Sequence, residues 1–216
     1  MKKFAVVLAG CGVFDGAEIH EATLTMLSIL QQGANYEIFA PDINQHHVVN
    51  HLTGKEMPET RNVLVESARI ARGKIGTLSD LKIDAFDALI LPGGFGVAKN
   101  LCDFAFKGPD CQINSQLEKI ISTFHKAGKP IGALCISPVI LSKIFGNVKV
   151  TIGQDKNTIK GIEKMGSVQI TTTHGEVVHD EENNLFTTPC YMLDATIVQI
   201  YEGTQQIVAA MLKSMG

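Results

Sequence analysis

The chain alternates short apolar runs with longer stretches of helical periodicity. Phe4–Ala9 is apolar throughout and ends at Gly10. From Glu18 to Gln32 the apolar positions Ile19, Ala22, Met26, Leu27, Ile29 and Leu30 fall close to helical spacing, and Gly33 ends the run. Tyr36–Ala40 predicts a second strand, closed by Pro41-Asp42, and 43–60 a polar connection. Asn62–Arg72 predicts a helix stopped by Gly73. Ala88–Leu91 predicts a strand that runs into Pro92-Gly93-Gly94. Asn114–Ala127 predicts a helix, Pro130–Leu134 a strand and Ile136–Phe145 another helix ending at Gly146. Val148–Ile152 and Val168–Thr172 predict further strands. Val177–His179 and Leu185–Thr188 pair across the polar turn 180–184. Met192 to Met215 predicts a closing helix with Gly203 as an irregular point.

Strands that are apolar throughout are covered on both faces, as in a parallel sheet flanked by helices. The expected fold is therefore an α/β three-layer sandwich, with one domain spanning residues 1–216. In such sheets ligands bind beyond the carboxyl ends of the strands. That draws attention to 10–18, 92–100 and the junction Leu134–Ile136.

Composition narrows the partners. With 45% hydrophobic residues, 19% charged residues and a net charge of −3, the chain has material for a core but no basic patch. Nucleic acid is not an expected partner, because phosphate binding wants clustered Lys and Arg. No run approaches the length that spans a bilayer, so no membrane partner is expected. The apolar stretch after Met1-Lys2-Lys3 is short for an export signal and reads as a buried first strand. Five cysteines, at 11, 102, 111, 135 and 190, fit no zinc or disulfide framework. They predict reduced thiols and a cytoplasmic protein with no bound metal.

Cys135 stands where a strand turns sharply into a helix, which would hold its side chain above the sheet. A helix start behind it offers unpaired N–H groups and a positive dipole end, and both would favour the thiolate. The equally simple alternative is a buried, inert thiol. The glycines of Leu91-Pro92-Gly93-Gly94 would let backbone N–H groups from Gly93 and Gly94 join that of Ile136 around an oxyanion, unless they form only a tight turn. Glu18 and Glu21 open a helix, where acidic residues ordinarily complement the dipole. A carboxyl that instead reached Cys135 would hold its proton more tightly and could shuttle it. His174-Gly175-Glu176 has the spacing of a Cys–His–Glu triad with Cys135.

Taken in order, Gly16-Ala-Glu-Ile-His-Glu21, Glu59-Thr-Arg-Asn-Val63, Pro92-Gly-Gly-Phe-Gly96, Ala98-Lys-Asn-Leu101, Ala127-Gly-Lys-Pro-Ile-Gly132, Cys135-Ile-Ser-Pro138, Val150-Thr-Ile-Gly153 and Thr187-Thr-Pro-Cys-Tyr-Met192 resemble the PfpI and Parkinson-associated deglycase superfamily, of class I glutamine amidotransferase-like fold. Within it the chain resembles the ElbB-type, isoprenoid-biosynthesis glyoxalase-like branch. The resemblance implies a flavodoxin-like sandwich, an elbow nucleophile at Cys135, Glu21 facing its sulfur, and oxyanion donors at Gly94 and Ile136. It implies a cofactor-free conversion of a small dicarbonyl, glyoxal, to glycolate, an allied deglycase activity and a homodimer. Two departures matter. Ile136 stands where the protease-like branch has a His after the nucleophile, and Val150–Gly153 lacks the His of the deglycase branch. A His-free mechanism is expected and proteolysis is not. The rival readings are a thiol redox sensor, in which Cys135 becomes a sulfinate held by Glu21, and a glutamine amidohydrolase using Cys135, His174 and Glu176.

Overall fold

The structure is a computed structural model that describes residues 1–216. The elements run β1 (Lys3–Val7), α1 (Ile19–Gln31), β2 (Asn35–Ala40), the small pair β3 (Val49–Asn50) and β4 (Lys55–Glu56), α2 (Val63–Ile70), β5 (Gly76–Thr77) and β6 (Ala88–Leu91). After these come α3 (Phe104–Lys107), α4 (Ser115–Lys126), β7 (Ile131–Leu134), α5 (Pro138–Phe145), β8 (Lys149–Val150), α6 (Lys156–Lys164), β9 (Val168–Gln169), β10 (Val178–Asp180), β11 (Leu185–Thr188) and α7 (Ile197–Ser214).

Seven strands form the central sheet in the order β10-β11-β7-β6-β1-β2-β5. All its pairings are parallel except β10 with β11. The residues of β6, β7 and β11 are buried throughout, as strands covered on both faces must be. Phe4, Phe124 and Phe186 are among the largest side chains sealed in the core. Asn62 and Asn114 cap α2 and α4, accepting N–H bonds from Val65 and from Gln116 and Leu117. The chain passes through Gly203 as unbroken helix. A Cβ there would lie at ordinary contact distance from Thr188 Oγ1 and Cys190 Sγ, 3.4 and 3.6 Å away, where α7 packs near the end of β11.

Two expectations differ from the fold. Val148–Ile152 and Val168–Thr172 supply only β8 and β9, which pair with each other in a separate two-stranded parallel sheet. Their alternation is too short to claim a place in the main sheet. The predicted helix from Ile136 begins only at Pro138, because residues 135–137 are spent on the turn. No helix is long and apolar enough to cross a membrane.

The chain reverses its direction across the sheet between β1, which leads out to β2, and β6, which leads the other way. A crevice opens at such a switch point. The segments after β1, β6 and β7 meet there.

Candidate functional site

Each of these three segments brings one component. Beyond β1, the loop ends in Glu18, whose carboxylate caps α1 by accepting the Glu21 N–H at 2.7 Å. The cap fixes the first turn of α1 and turns Glu21 inward, where it has no exposed surface. Beyond β6, Gly93 and Gly94 lie against that loop, with Glu18 N–H donating to the Gly93 carbonyl at 2.9 Å. A Cβ on Gly93 would sit 2.3 Å from Cys135 Cβ and 2.6 Å from Glu21 Oε2, so no side chain fits there. Gly94 adopts φ +99°, and a Cβ would strike the backbone of residues 16–18. Beyond β7, Cys135 takes φ +59°, a conformation that non-glycine residues hold only under strain. Its N–H donates to Thr188 O at 3.0 Å, and Ser137 Oγ donates to Pro92 O at 2.9 Å. Those bonds tie the elbow to the strands on either side.

The Glu21 carboxyl lies within hydrogen-bonding reach of the Cys135 sulfur. Its Oε2 accepts the Gly93 N–H at 2.8 Å and its Oε1 the Tyr191 N–H at 3.2 Å. Burial first, and then the Glu18 charge, push the Glu21 pKa to about 8, so the carboxyl is largely protonated at neutral pH. The N–H groups of Gly94 and Ile136 face the Cys135 sulfur.

Two expectations change here. The Cys135 thiol is pushed well above its ordinary range, not below it. Burial is the leading cause and the Glu21 charge the next, and together they outweigh the two N–H groups. The helix start that was to favour the thiolate lies three residues further on, at Pro138. Gly93 is the second change. Its N–H is committed to Glu21, which leaves Gly94 and Ile136 as the donors free to serve an oxyanion.

His174 and Glu176 are not brought to the sulfur. The His174 ring bonds the Asp194 carbonyl through Nε2 at 3.0 Å, and the Glu176 carboxylate accepts the N–H and hydroxyl of Thr173. No Cys–His–Glu arrangement is assembled. His46 stacks on Phe106, and His51 accepts the Phe14 N–H at 3.2 Å. Arg61 and Arg69 form a structural ion-pair cluster on Glu66, at 3.6 and 3.0 Å.

Two residues of the neighbourhood were not singled out from the sequence. Tyr191 holds Glu21 through its N–H, and its hydroxyl bonds His20 Nδ1 at 2.8 Å. Cys190, also at positive φ, is buried nearby, and the charges of Glu21 and Cys135 raise its thiol pKa after burial itself. Cys190 and Tyr191 lie about 170 positions beyond Glu21 in the chain, and only their place in Thr187–Met192 marked that stretch.

The chain is also similar to several known proteins over most of its length. The model of the DJ-1/PfpI family matches residues 13–188, a span that contains Glu21, Gly93, Gly94 and Cys135. A human protein, glutamine amidotransferase-like class 1 domain-containing protein 3, mitochondrial, is 42% identical over 99% of this chain and 84% of its own length. The rat ES1 protein homolog, mitochondrial, is 41% identical over the same shares. The crystal structure of an isoprenoid biosynthesis protein with amidotransferase-like domain from Ehrlichia chaffeensis superposes with a TM-score of 0.94, at 39% identity and full coverage of both chains. The mitochondrial relatives overturn the expectation of a cytoplasmic protein. Unpaired cysteines speak for a reducing environment, and that is a wider category than the cytosol. With the sandwich, the elbow and these matches together, the chain belongs to the DJ-1/PfpI family, of class I glutamine amidotransferase-like fold.

Proposed function

We propose that this protein is a thiol enzyme of glyoxalase type that uses only its own side chains and converts a small dicarbonyl, with glyoxal as the simplest case, to the hydroxy acid. The observation that carries this reading is the buried, protonated Glu21 carboxyl set against the Cys135 sulfur, with no histidine bonded to either. A carboxyl with a pKa of about 8 gives up and takes back a proton near neutral pH, as a general acid–base must. Cys135 is only 7% exposed, which favours a substrate of a few atoms over a peptide or a large metabolite.

The steps follow from these positions. The Cys135 sulfur adds to one aldehyde carbon as its proton passes to the ionised fraction of Glu21, and the aldehyde oxygen becomes the hemithioacetal hydroxyl. Glu21 then takes the proton from that carbon and returns one to the neighbouring carbon through an enediol. The product is a hydroxyacyl thioester. Water adds to the thioester, the C–S bond breaks, and glycolate leaves with the thiol restored. The Gly94 and Ile136 N–H groups, which face the sulfur in the resting protein, stabilise the oxyanion of the hydrolysis step. Because the resting thiol is held protonated, turnover is slow at neutral pH and rises as the pair loses its first proton. A deglycase activity would share the first addition, and a homodimer belongs to the same reading.

The test is glyoxal consumption and glycolate release by wild type, Cys135→Ala and Glu21→Gln. The reading predicts that both variants lose activity. Equal rates in all three would end it.

A further inference from the structure

Three stretches singled out by the sequence pattern converge beside the crevice: Gly16–Glu21, Val150–Gly153 and Thr187–Met192. They meet around Tyr191. This residue lies in the short turn Cys190–Met192, just beyond β11, and the turn opens on Cys190 at φ +42°. A non-glycine residue stays at such an angle only where its surroundings impose it. On one side the turn packs on Gly153, where a Cβ would stand 2.9 Å from Leu193 Cδ2 and 3.1 Å from Pro189 Cβ. On the other side Tyr191 grips the first turn of α1 at two consecutive residues. Its N–H donates to Glu21 Oε1 at 3.2 Å, and its hydroxyl bonds His20 Nδ1 at 2.8 Å, with the two ring centroids 5.9 Å apart.

We propose that His20 and Tyr191 are positioning residues for the Cys135–Glu21 pair: their side-chain bond clamps the Tyr191 N–H on Glu21 Oε1 and so sets how readily that carboxyl releases its proton. The two N–H contacts to Glu21 differ in quality. The Gly93 N–H reaches Oε2 at 2.8 Å, from a backbone pinned to the loop after β1 by the Glu18 N–H. The Tyr191 N–H reaches Oε1 at 3.2 Å, the long end of the normal range, from a turn with no place in the sheet. That contact therefore depends on what holds the tyrosine in place, and its hydroxyl is the second hold on α1. An N–H bond to a carboxylate favours the ionised form, so the clamp works against the burial and the Glu18 charge that keep Glu21 protonated. The other titratable groups facing Glu21 are Glu18 on α1, Cys135 at the elbow and Cys190 on the turn itself. The clamp does not need a particular charge on His20. Nδ1 accepts from the hydroxyl when that nitrogen carries no proton and donates to it when the ring is charged, so the bond persists through the titration of the histidine.

The clamp bears on catalysis only where Glu21 is the acid–base of the reaction proposed above, whereas its effect on the carboxyl is read with no substrate present. The experiment follows the Glu21 carboxyl by carbon NMR against pH in protein carrying isotope-labelled glutamate, with the signal assigned by its loss in Glu21→Gln. The wild-type midpoint is expected near 8. Tyr191→Phe and His20→Ala should each raise it by roughly half to one pH unit, the scale of one hydrogen bond. The double variant should raise it no further, because either change opens the same clamp. A midpoint that stays or falls in Tyr191→Phe or in His20→Ala, or shifts that add in the double variant, overturns the proposal. Glyoxal turnover with an unmoved midpoint ends the clamp and leaves the reaction standing. Raised midpoints with no glyoxal turnover by wild type end the reaction and leave the clamp standing.

Discussion

Glu18 and Glu21 stand one helical turn apart at the start of α1, and they do opposite work. Glu18 serves the helix by capping the Glu21 N–H. Glu21 has no exposed surface, accepts two backbone N–H groups, and still holds its proton to about pH 8. Two N–H donors alone would lower a carboxyl pKa, so burial and the neighbouring Glu18 charge must outweigh them. The same contest is settled the same way at Cys135, where two N–H groups fail to offset burial and the Glu21 charge. A carboxyl or thiol at the mouth of a helix is thus not ionised by position alone; enclosure decides.

The sharpest way to break this comparison is to remove the sulfur. Cys135→Ala should lower glyoxal turnover by at least about a hundredfold, the scale expected when a covalent nucleophile is lost, with an unchanged circular dichroism spectrum. Next comes Glu21→Gln, which keeps the shape but has no proton to move; turnover should drop about 10²-fold. Glu18→Gln should leave turnover within a few-fold of wild type and lower the Glu21 pKa by removing the nearby charge, visible as an earlier rise in the pH–rate profile.

Stability sharpens the contrast further. The folded Glu21 pKa is raised from 4.5 to about 8, so in that window the folded protein binds a proton that the unfolded chain does not. The contribution is present in full below the unfolded pKa and declines as pH rises toward the folded one, by roughly 1.4 kcal/mol per unit at most. Glu21→Gln should therefore gain stability relative to wild type as pH rises through the window, as measured by urea unfolding at several pH values. The smallest expected effect is that of His174→Ala, whose ring is held on the Asp194 carbonyl. Turnover should stay within about twofold, and a loss comparable to that of Glu21→Gln would restore the Cys–His–Glu arrangement.

Much of this framework was legible in the sequence. Alternating apolar strands and periodic helices marked the sandwich, and Gly33, Gly128 and Gly146 marked the helix ends that the structure shows. Asp180–Asn184 marked the hairpin between β10 and β11. Helix α6 was missed because Lys156–Lys164 is mostly polar and contains Gly161, with only Ile159 and Ile162 to signal an apolar face. The site was legible as positions but not as electrostatics. Local pattern places Cys135 beside a helix start, whereas its ionisation depends on how completely β1, β6 and β7 and their loops enclose it. Tyr191 escaped for a related reason: its bond to Glu21 depends on a pairing that no local spacing encodes.

The central claim is that Glu21 and Cys135 both keep their protons at neutral pH, because burial and the Glu21 charge oppose the thiolate. The rate at which iodoacetamide alkylates Cys135, followed against pH in wild type and in Glu21→Gln, tests it most directly. The first proton lost, near 8, is the carboxyl's, and the charge it leaves opposes the thiolate, so wild-type alkylation should rise only above the ordinary thiol value of 9.0. In Glu21→Gln the rise should move to lower pH than in wild type, since the carboxylate charge that opposes the thiolate is gone while burial remains. A wild-type rate that is already level below neutral pH, or identical profiles for the two proteins, would contradict the account.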